Sequence, residues 1–252
     1  MRYAISEGEK IEATPKAQGI CPGCGADLAA RCGTKKIWHW AHKGRRHCDL
    51  WWENETEWHR EWKNHFPKDW QEVAARDDSG ELHIADVKTP NGLVYEFQHS
   101  PIHVDEIRLR TNFYKSMVWI VDGQRRVNDV KQFRSTLRDA YKFHLDTTVY
   151  ELRPGDRIFT RILSEWWNLG VPVAIDFGPE FGGDIWILRE AIYHRSQRYR
   201  RRKLIWQSEP YLHAILGYFL SRKEFIYRLV NEKPLPKIEH DGKTYIALKA
   251  DD

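Results

Sequence analysis

Long apolar runs are missing from this chain. No stretch approaches the roughly 20 residues that a membrane-crossing helix needs. The opening "MRYAISEGEK" lacks the apolar segment of a secretory leader. There is no internal repeat and no low-complexity tract. These absences give the expectation of a cytoplasmic chain with no membrane association. Cysteine is scarce and confined: the four residues, Cys21, Cys24, Cys32 and Cys48, all fall in the first fifth of the chain. Disulfides are uncommon in the cytoplasm, so this clustering calls for a metal reading.

What is present suffices for one or two domains with a real core. The chain has 252 residues, 41% hydrophobic and 13% aromatic, with twelve Trp. The net charge of +4 is compatible with an anionic partner without demanding one. Three blocks follow one another: a Cys/His-rich region over 1–50, alternating helix and strand patterns over 51–150, and a C-terminal region over 151–252 with longer helical patterns and a very basic run.

"CPGC" presents Cys21 and Cys24 on a tight turn, half of a structural zinc site. "WHWAHKGRRHC" offers His39, His42, His47 and Cys48 for the other half, with Cys32 also near. A redox pair is the competing reading of the lone CxxC. The density of further His and Cys favours zinc, with Cys21, Cys24, His42 and Cys48 as the ligands and His39 as the rival. Such a knuckle would staple a segment too short to build its own core.

In the second block, Trp51, Trp58, Trp62 and Phe66 recur at helical spacing, predicting a helix over 53–66 that Pro67 stops. "QEVAAR", "LHIADVKT" and "LVYEFQHS" read as strands separated by "DDSG" and "PNG" turns. "HVDEIRLRTNFYKS" reads as a helix, "MVWIVDG" as a strand and "VNDVKQFRSTLRDAY" as a helix, giving a mixed α/β sheet.

The hairpin carries unexpected polar residues. Glu96 and Gln98 share one strand face. A three-residue loop, Pro90-Asn91-Gly92, pairs Thr89 with Leu93 and therefore Asp86 with Glu96. Directly opposed Cβ atoms lie roughly 5 Å apart, so the two acids repel unless a cation joins them. Mg²⁺ or Mn²⁺ suits such hard oxygen ligands. Glu55, His59 and Lys63 recur every fourth residue on the predicted helix and can line one face, which would bring Glu55 to the same metal. Lys88 shares the face of Asp86. A solvated sheet face with ion-paired acids is the competing reading.

"CPGC", "HWAH" followed by Cys48, "ENETEWH", "IADV" and "EFQHS" resemble, in that order, the competence protein CoiA-like family, whose core is similar to the PD-(D/E)xK nuclease superfamily. The resemblance covers about residues 18–122. It implies a restriction-endonuclease-like mixed sheet core behind an N-terminal zinc-binding knuckle, and metal-dependent DNA endonuclease activity linked to competence, recombination or defence. On this resemblance Glu55, Asp86 and Glu96 are the acids of the site, and Asp86 and Glu96 hold the metal. Gln98 falls where the superfamily usually has Lys, and CoiA-like proteins typically show the same Glu-x-Gln. Gln can hydrogen-bond the attacking water but carries no charge, so His59, Lys63 or Lys88 would supply the missing cation. Arg108 or Arg110 would contact a phosphate. A non-catalytic accessory protein on the same fold is the alternative, and a homodimer is compatible with either.

The C-terminal region has no such match. "REAIYHRSQRYRRRKLIW" reads as a basic helix in which Tyr193, Tyr199 and Trp206 interleave with arginines, Arg198 and Arg201 among them, suiting DNA or RNA contact. "SEWWNLGVPVAIDFG" reads as a helix end followed by a buried strand, with Asp176 structural.

Overall fold

The computed structural model describes residues 1–44, 48–51, 53–143, 149–152, 160–194, 197–200, 203–206, 211–240 and 245–248. The chain is α/β and divides into two compact units. One comprises Met1–Ile102 and Leu109–Trp119; the other comprises His103–Arg108 and Ile120–Asp252.

The first unit opens with five short strands, β1 (Tyr3–Ser6), β2 (Glu9–Glu12), β3 (Gln18–Ile20), β4 (Asp27–Arg31) and β5 (His39–His42). They form a sheet of order β2-β1-β3-β4-β5. The expected bare knuckle is thus a small sheet with a core of its own, made by Ala4, Ala13, Cys21, Leu28 and Trp40, against which Ile84 also packs. Gly19 is required at the β1/β3 crossing, because a Cβ there would meet Ala4 Cβ at 2.6 Å.

Helix α1 is shorter than the predicted 53–66 and runs Glu57–Lys63. Thr56 sets the start: its hydroxyl accepts the His59 amide, and His59 Nδ1 accepts the Thr56 amide, a capping box with His in place of the usual Glu. Glu53 and Glu55 therefore lie ahead of the helix. The aromatic stripe behaves as its spacing suggests. Trp62 is fully buried and stacks on Phe97, while Phe66 packs against Tyr95 and Phe97.

Strands β6 (Gln71–Arg76), β7 (Leu82–Lys88) and β8 (Val94–Gln98) follow as an antiparallel meander, in close agreement with the sequence pattern. α2 (Val104–Tyr114) leads to β9 (Met117–Asp122), which lies next to β8.

The second unit contains α3 (Asp129–Arg138), β10 (Tyr141–Phe143), β11 (Val149–Leu152), α4 (Arg161–Trp166), β12 (Val173–Asp176), β13 (Ile185–His194), β14 (Gln197–Arg200), β15 (Lys203–Trp206), β16 (Tyr211–Leu220), α5 (Arg222–Val230), β17 (Lys237–His240) and β18 (Tyr245–Leu248). Strands run in the order β10-β11-β16-β13-β12. The mainly helical C-terminal region expected from sequence is therefore largely strand, and the basic run is no helix. Its residues fall in β13 and in the hairpin β14–β15, where Arg198 lies opposite Ile205 and Tyr199 opposite Leu204. β-Branched and aromatic residues between the arginines favour this pairing over a helix. Arg201 lies outside the described residues. Asp176 is structural, as expected: it is buried and accepts Gly178 N at 2.9 Å and Arg222 Nη1 at 2.7 Å.

Among the described residues no helix is long and apolar enough to cross a membrane. Trp62→Ala, which empties the α1–β8 contact, should destabilise the chain by about 3–5 kcal/mol in urea unfolding.

Candidate active site

The loop Pro90–Asn91–Gly92 sets the hairpin register. Thr89 N donates to Leu93 O at 2.9 Å, Lys88 lies opposite Val94, and Val87 lies opposite Tyr95. One step further Asp86 meets Glu96. There the side chains take over from the backbone: Asp86 N donates to Glu96 Oε1 at 3.2 Å, and Phe97 N donates to Asp86 Oδ2 at 3.0 Å. The two acids thus sit face to face, as the odd loop length requires.

Their environments differ. Glu96 is buried, and burial together with the neighbouring Asp86 carboxylate pushes its carboxyl up to about 8. Arg110 pulls the other way, with Nη1 at 3.6 Å from Glu96 Oε2. Arg110 is itself buried, donates to Trp51 O at 2.8 Å and lies over the Trp51 ring. The arginine expected at a phosphate is thus buried beside Glu96 and lines the acid cavity.

Lys63 is the cation that reaches Asp86, rather than Lys88. Its Nζ is buried 2.9 Å from Glu55 Oε1, 3.2 Å from Glu72 Oε1 and 3.6 Å from Asp86 Oδ1. Burial alone would discharge it, but Glu72, Glu55 and Asp86 outweigh that and raise its pKa. Glu55 is also held by Arg60 Nη2 at 3.2 Å. His59 is pinned by structure: its Nε2 donates to Phe97 O at 3.0 Å, and burial lowers its pKa.

Glu72 was not legible as a site residue. Gln71 pairs with Val87 and Val73 with Ala85, an unbroken register that leaves Glu72 opposite Asp86, at φ 50°. Its carboxylate meets Lys63, and it also accepts Arg2 N at 2.7 Å and Tyr3 N at 2.8 Å. Burial would raise its pKa, yet Lys63 and those amides bring it down to about 2.

Gln98 donates through Nε2 to Glu53 Oε2 at 2.7 Å and to Ser100 O at 2.9 Å. Its Oε1 is buried and has no hydrogen-bond partner among the described residues. Glu53, a second residue that sequence reading missed, also accepts Ser100 N at 2.8 Å and the Ser100 hydroxyl. A cavity of about 180 Å³ is lined by Asp86, Glu96, Lys63 and Arg110, with His42 and Cys48 on its wall.

Those last two belong to the cysteine cluster. One ligand atom from each of Cys21, Cys24, His42 and Cys48 lies within 4.8 Å of the others, so this set could bind a structural metal such as zinc. His39 is outside it, with Nδ1 bound to Ile37 O at 2.8 Å, and so is the half-buried Cys32. His47 lies outside the described residues. Asp49, immediately after Cys48, accepts Ile84 N at 2.8 Å, His83 Nδ1 at 2.7 Å and Trp51 N at 2.9 Å, tying the cluster to β7.

Residues 5–50 match the family model of the competence protein CoiA N-terminal domain. The chain carries a CoiA-like N-terminal domain. No curated protein and no solved structure matches the chain significantly. The CoiA-like domain thus includes β2 to β5 and all four cysteines.

Elemental analysis of purified protein should find about one zinc per chain, and Cys48→Ser should lose it; a chelator should lower the melting temperature by more than ~5 °C. The Glu96 carboxyl gives a second expectation. Its pKa is raised on folding, so the folded state binds more protons, and metal-free stability falls as pH rises from about 4.5 to about 8. Glu96→Gln should flatten that part of a melting-temperature profile and exceed wild type above pH 8.

Proposed function

We propose that this chain is a metal-dependent endonuclease acting on DNA, built on a PD-(D/E)xK-like core. The single observation that carries the reading is the opposed pair Asp86–Glu96 in a cavity that also holds a buried lysine, Lys63. Mg²⁺ or Mn²⁺ fits this donor set. Two carboxylates face each other, Glu96 kept protonated by its burial and by Asp86, and Gln98 Oε1, without a hydrogen-bond partner among the described residues, is a further buried acceptor on the strand of Glu96. Among the described residues the acids do not form a converging group of three, so Asp86 and Glu96 would hold the ion, with water completing its shell. When bound, the ion would supply a water of lowered pKa and charge stabilisation at the phosphate.

The remaining work falls to the chain's own residues. Glu96 gives up its proton before it serves as a ligand, so metal affinity rises with pH through about 8. Lys63, kept charged by Glu72, offers the positive charge that Gln98 does not. Gln98 Oε1 can accept a hydrogen bond from the attacking water and hold it in place. Arg110 limits the repulsion between the acids.

One observation favours the alternative of a non-cleaving DNA-binding or recombination accessory protein. Lys63 already neutralises Asp86 and Glu55, so the pocket is electrostatically satisfied in part without a metal.

Plasmid, linear, single-stranded and branched DNA, with RNA alongside, incubated with Mg²⁺, Mn²⁺ or EDTA, separates the two. The nuclease reading expects cleavage with metal and none with EDTA. Asp86→Ala should abolish it, and Lys63→Met should lower the rate by roughly 10²–10³-fold. Glu72→Gln should shift the pH profile of the remaining rate. An absence of cleavage on every substrate, or full activity in Asp86→Ala, would sink the enzyme reading.

A further inference from the structure

We propose that the loop joining β4 to β5 is the arm that holds the substrate strand, with Lys35 and Lys36 contacting backbone phosphates and Trp38 stacking on an unpaired base. This subsite rests on the nuclease-like reading of the acid cavity for its orientation, but it binds by itself.

A second cavity, of about 340 Å³, is lined by Lys35, Lys36, Ile37, His39 and the segment Asn54–Glu57. Lys36, His39, Asn54 and Glu55 also line the cavity that holds Asp86 and Glu96. The two spaces therefore adjoin along a shared wall, one at the acids and the other at the loop.

Charge along these two spaces changes sign with distance from the acids. At the inner end Glu55 is taken up by Lys63 and Arg60. At the outer end Lys35 and Lys36 are exposed, and among the described residues neither makes an ion pair, leaving Glu57 as the nearby acid. Two adjacent uncompensated ammonium groups beside the cavity of a cation-seeking acid pair suit a polyanion that must cross the protein before its phosphate reaches Asp86.

Trp38 gives the arm its second chemistry. It sits between Ile37 and His39 of the second cavity's wall and is 44% exposed, one of few large apolar side chains so exposed. It is nonetheless held: its indole Nε1 donates to Gly33 O at 3.2 Å, and its carbonyl accepts Arg60 Nη2. Arg60 also binds Glu55, so the loop is anchored to the helix that carries Lys63. An exposed, positioned indole beside lysines is the combination that binds single strands, because every base offers a face to stack. A paired duplex hides those faces, so the arm should prefer a strand with unpaired bases near the cut.

Binding is measured with the full-length Asp86→Asn protein in Ca²⁺, by fluorescence anisotropy of a labelled single strand of about 20 nucleotides and of its blunt duplex, over a salt series. The Asp86→Asn background makes the readout independent of cleavage. Lys35→Ala with Lys36→Ala should weaken single-strand binding more than about tenfold and reduce the slope of log affinity against log salt by about 1.4. Trp38→Ala should cost roughly tenfold on the single strand and little on the duplex. Zinc content and melting temperature should match the parent. Unchanged affinity in the lysine variant overturns the arm, and so does a Trp38→Ala loss that is equal on both substrates. Parent protein that binds neither substrate overturns it as well. Binding losses as expected in a protein that never cleaves would retain the arm and remove the nuclease.

Discussion

A single buried ammonium holds the first unit together. Lys63 lies at the end of α1 with almost no solvent contact, where an unpaired ion would cost several kcal/mol. Three carboxylates from three places offset that cost: Glu55 ahead of the helix, Glu72 from β6, and Asp86 from β7. None of the three is well placed without it. Glu72 adopts a left-handed backbone that non-glycine residues avoid, a strain on the order of 1 kcal/mol or more. Asp86 faces a second acid. The network is a mutual solution, and replacing one member leaves the others as uncompensated buried charges.

From that centre hydrogen bonds reach the rest of the unit, alongside the apolar packing of Trp62, Phe66 and Phe97. Glu72 accepts the amides of Arg2 and Tyr3, which fixes β1 to the same carboxylate that fixes Lys63. On the other side Asp49 accepts an amide of β7 and the Trp51 amide, and the Trp51 carbonyl receives Arg110, which faces Glu96. Asp49 follows a metal-type ligand, Cys48. A continuous run of contacts therefore joins the cysteine cluster to the acid pair, and a metal in the cluster would steady Arg110 without touching the acids.

Much of this was legible in the sequence, for identifiable reasons. The Asp86–Glu96 pairing followed from the parity of a three-residue loop, since strand alternation leaves no freedom once the loop length is fixed. The cluster of Cys21, Cys24, His42 and Cys48 followed from the density of Cys and His in a short segment. What failed was anything that depended on an irregularity or on distant partners. The α1 start was placed too early because aromatic spacing extended the pattern through Trp51 and outweighed the Thr56 cap. Glu72 was invisible because nothing in "QEVAAR" announces its left-handed backbone or the buried Lys63 it meets. Arg110 reads as a surface arginine until Trp51 and Glu96 close over it. The basic C-terminal run was read as helix because Arg, Lys, Gln and Leu have good helix propensity, whereas long-range pairing of β13 with β16 decided the outcome.

Gln98 shows what this architecture changes. A lysine on the strand, two residues beyond Glu96, would bring charge to the site from the same element that carries the acid. Here the strand position is neutral and already committed through its amide to Glu53 and Ser100. The charge comes instead from the last turn of α1, and it is kept there by Glu72 and by the backbone of β1. Moving the cation off the strand makes its position depend on the N-terminal sheet, because β1 orders Glu72 and Glu72 orders Lys63. The CoiA-like domain is then no detachable appendage to an acid hairpin. The strand that leads into it, β1, holds Glu72 through the Tyr3 amide, its cysteine cluster is joined to Arg110 through Asp49 and Trp51, and its β4–β5 loop borders a cavity beside the acids.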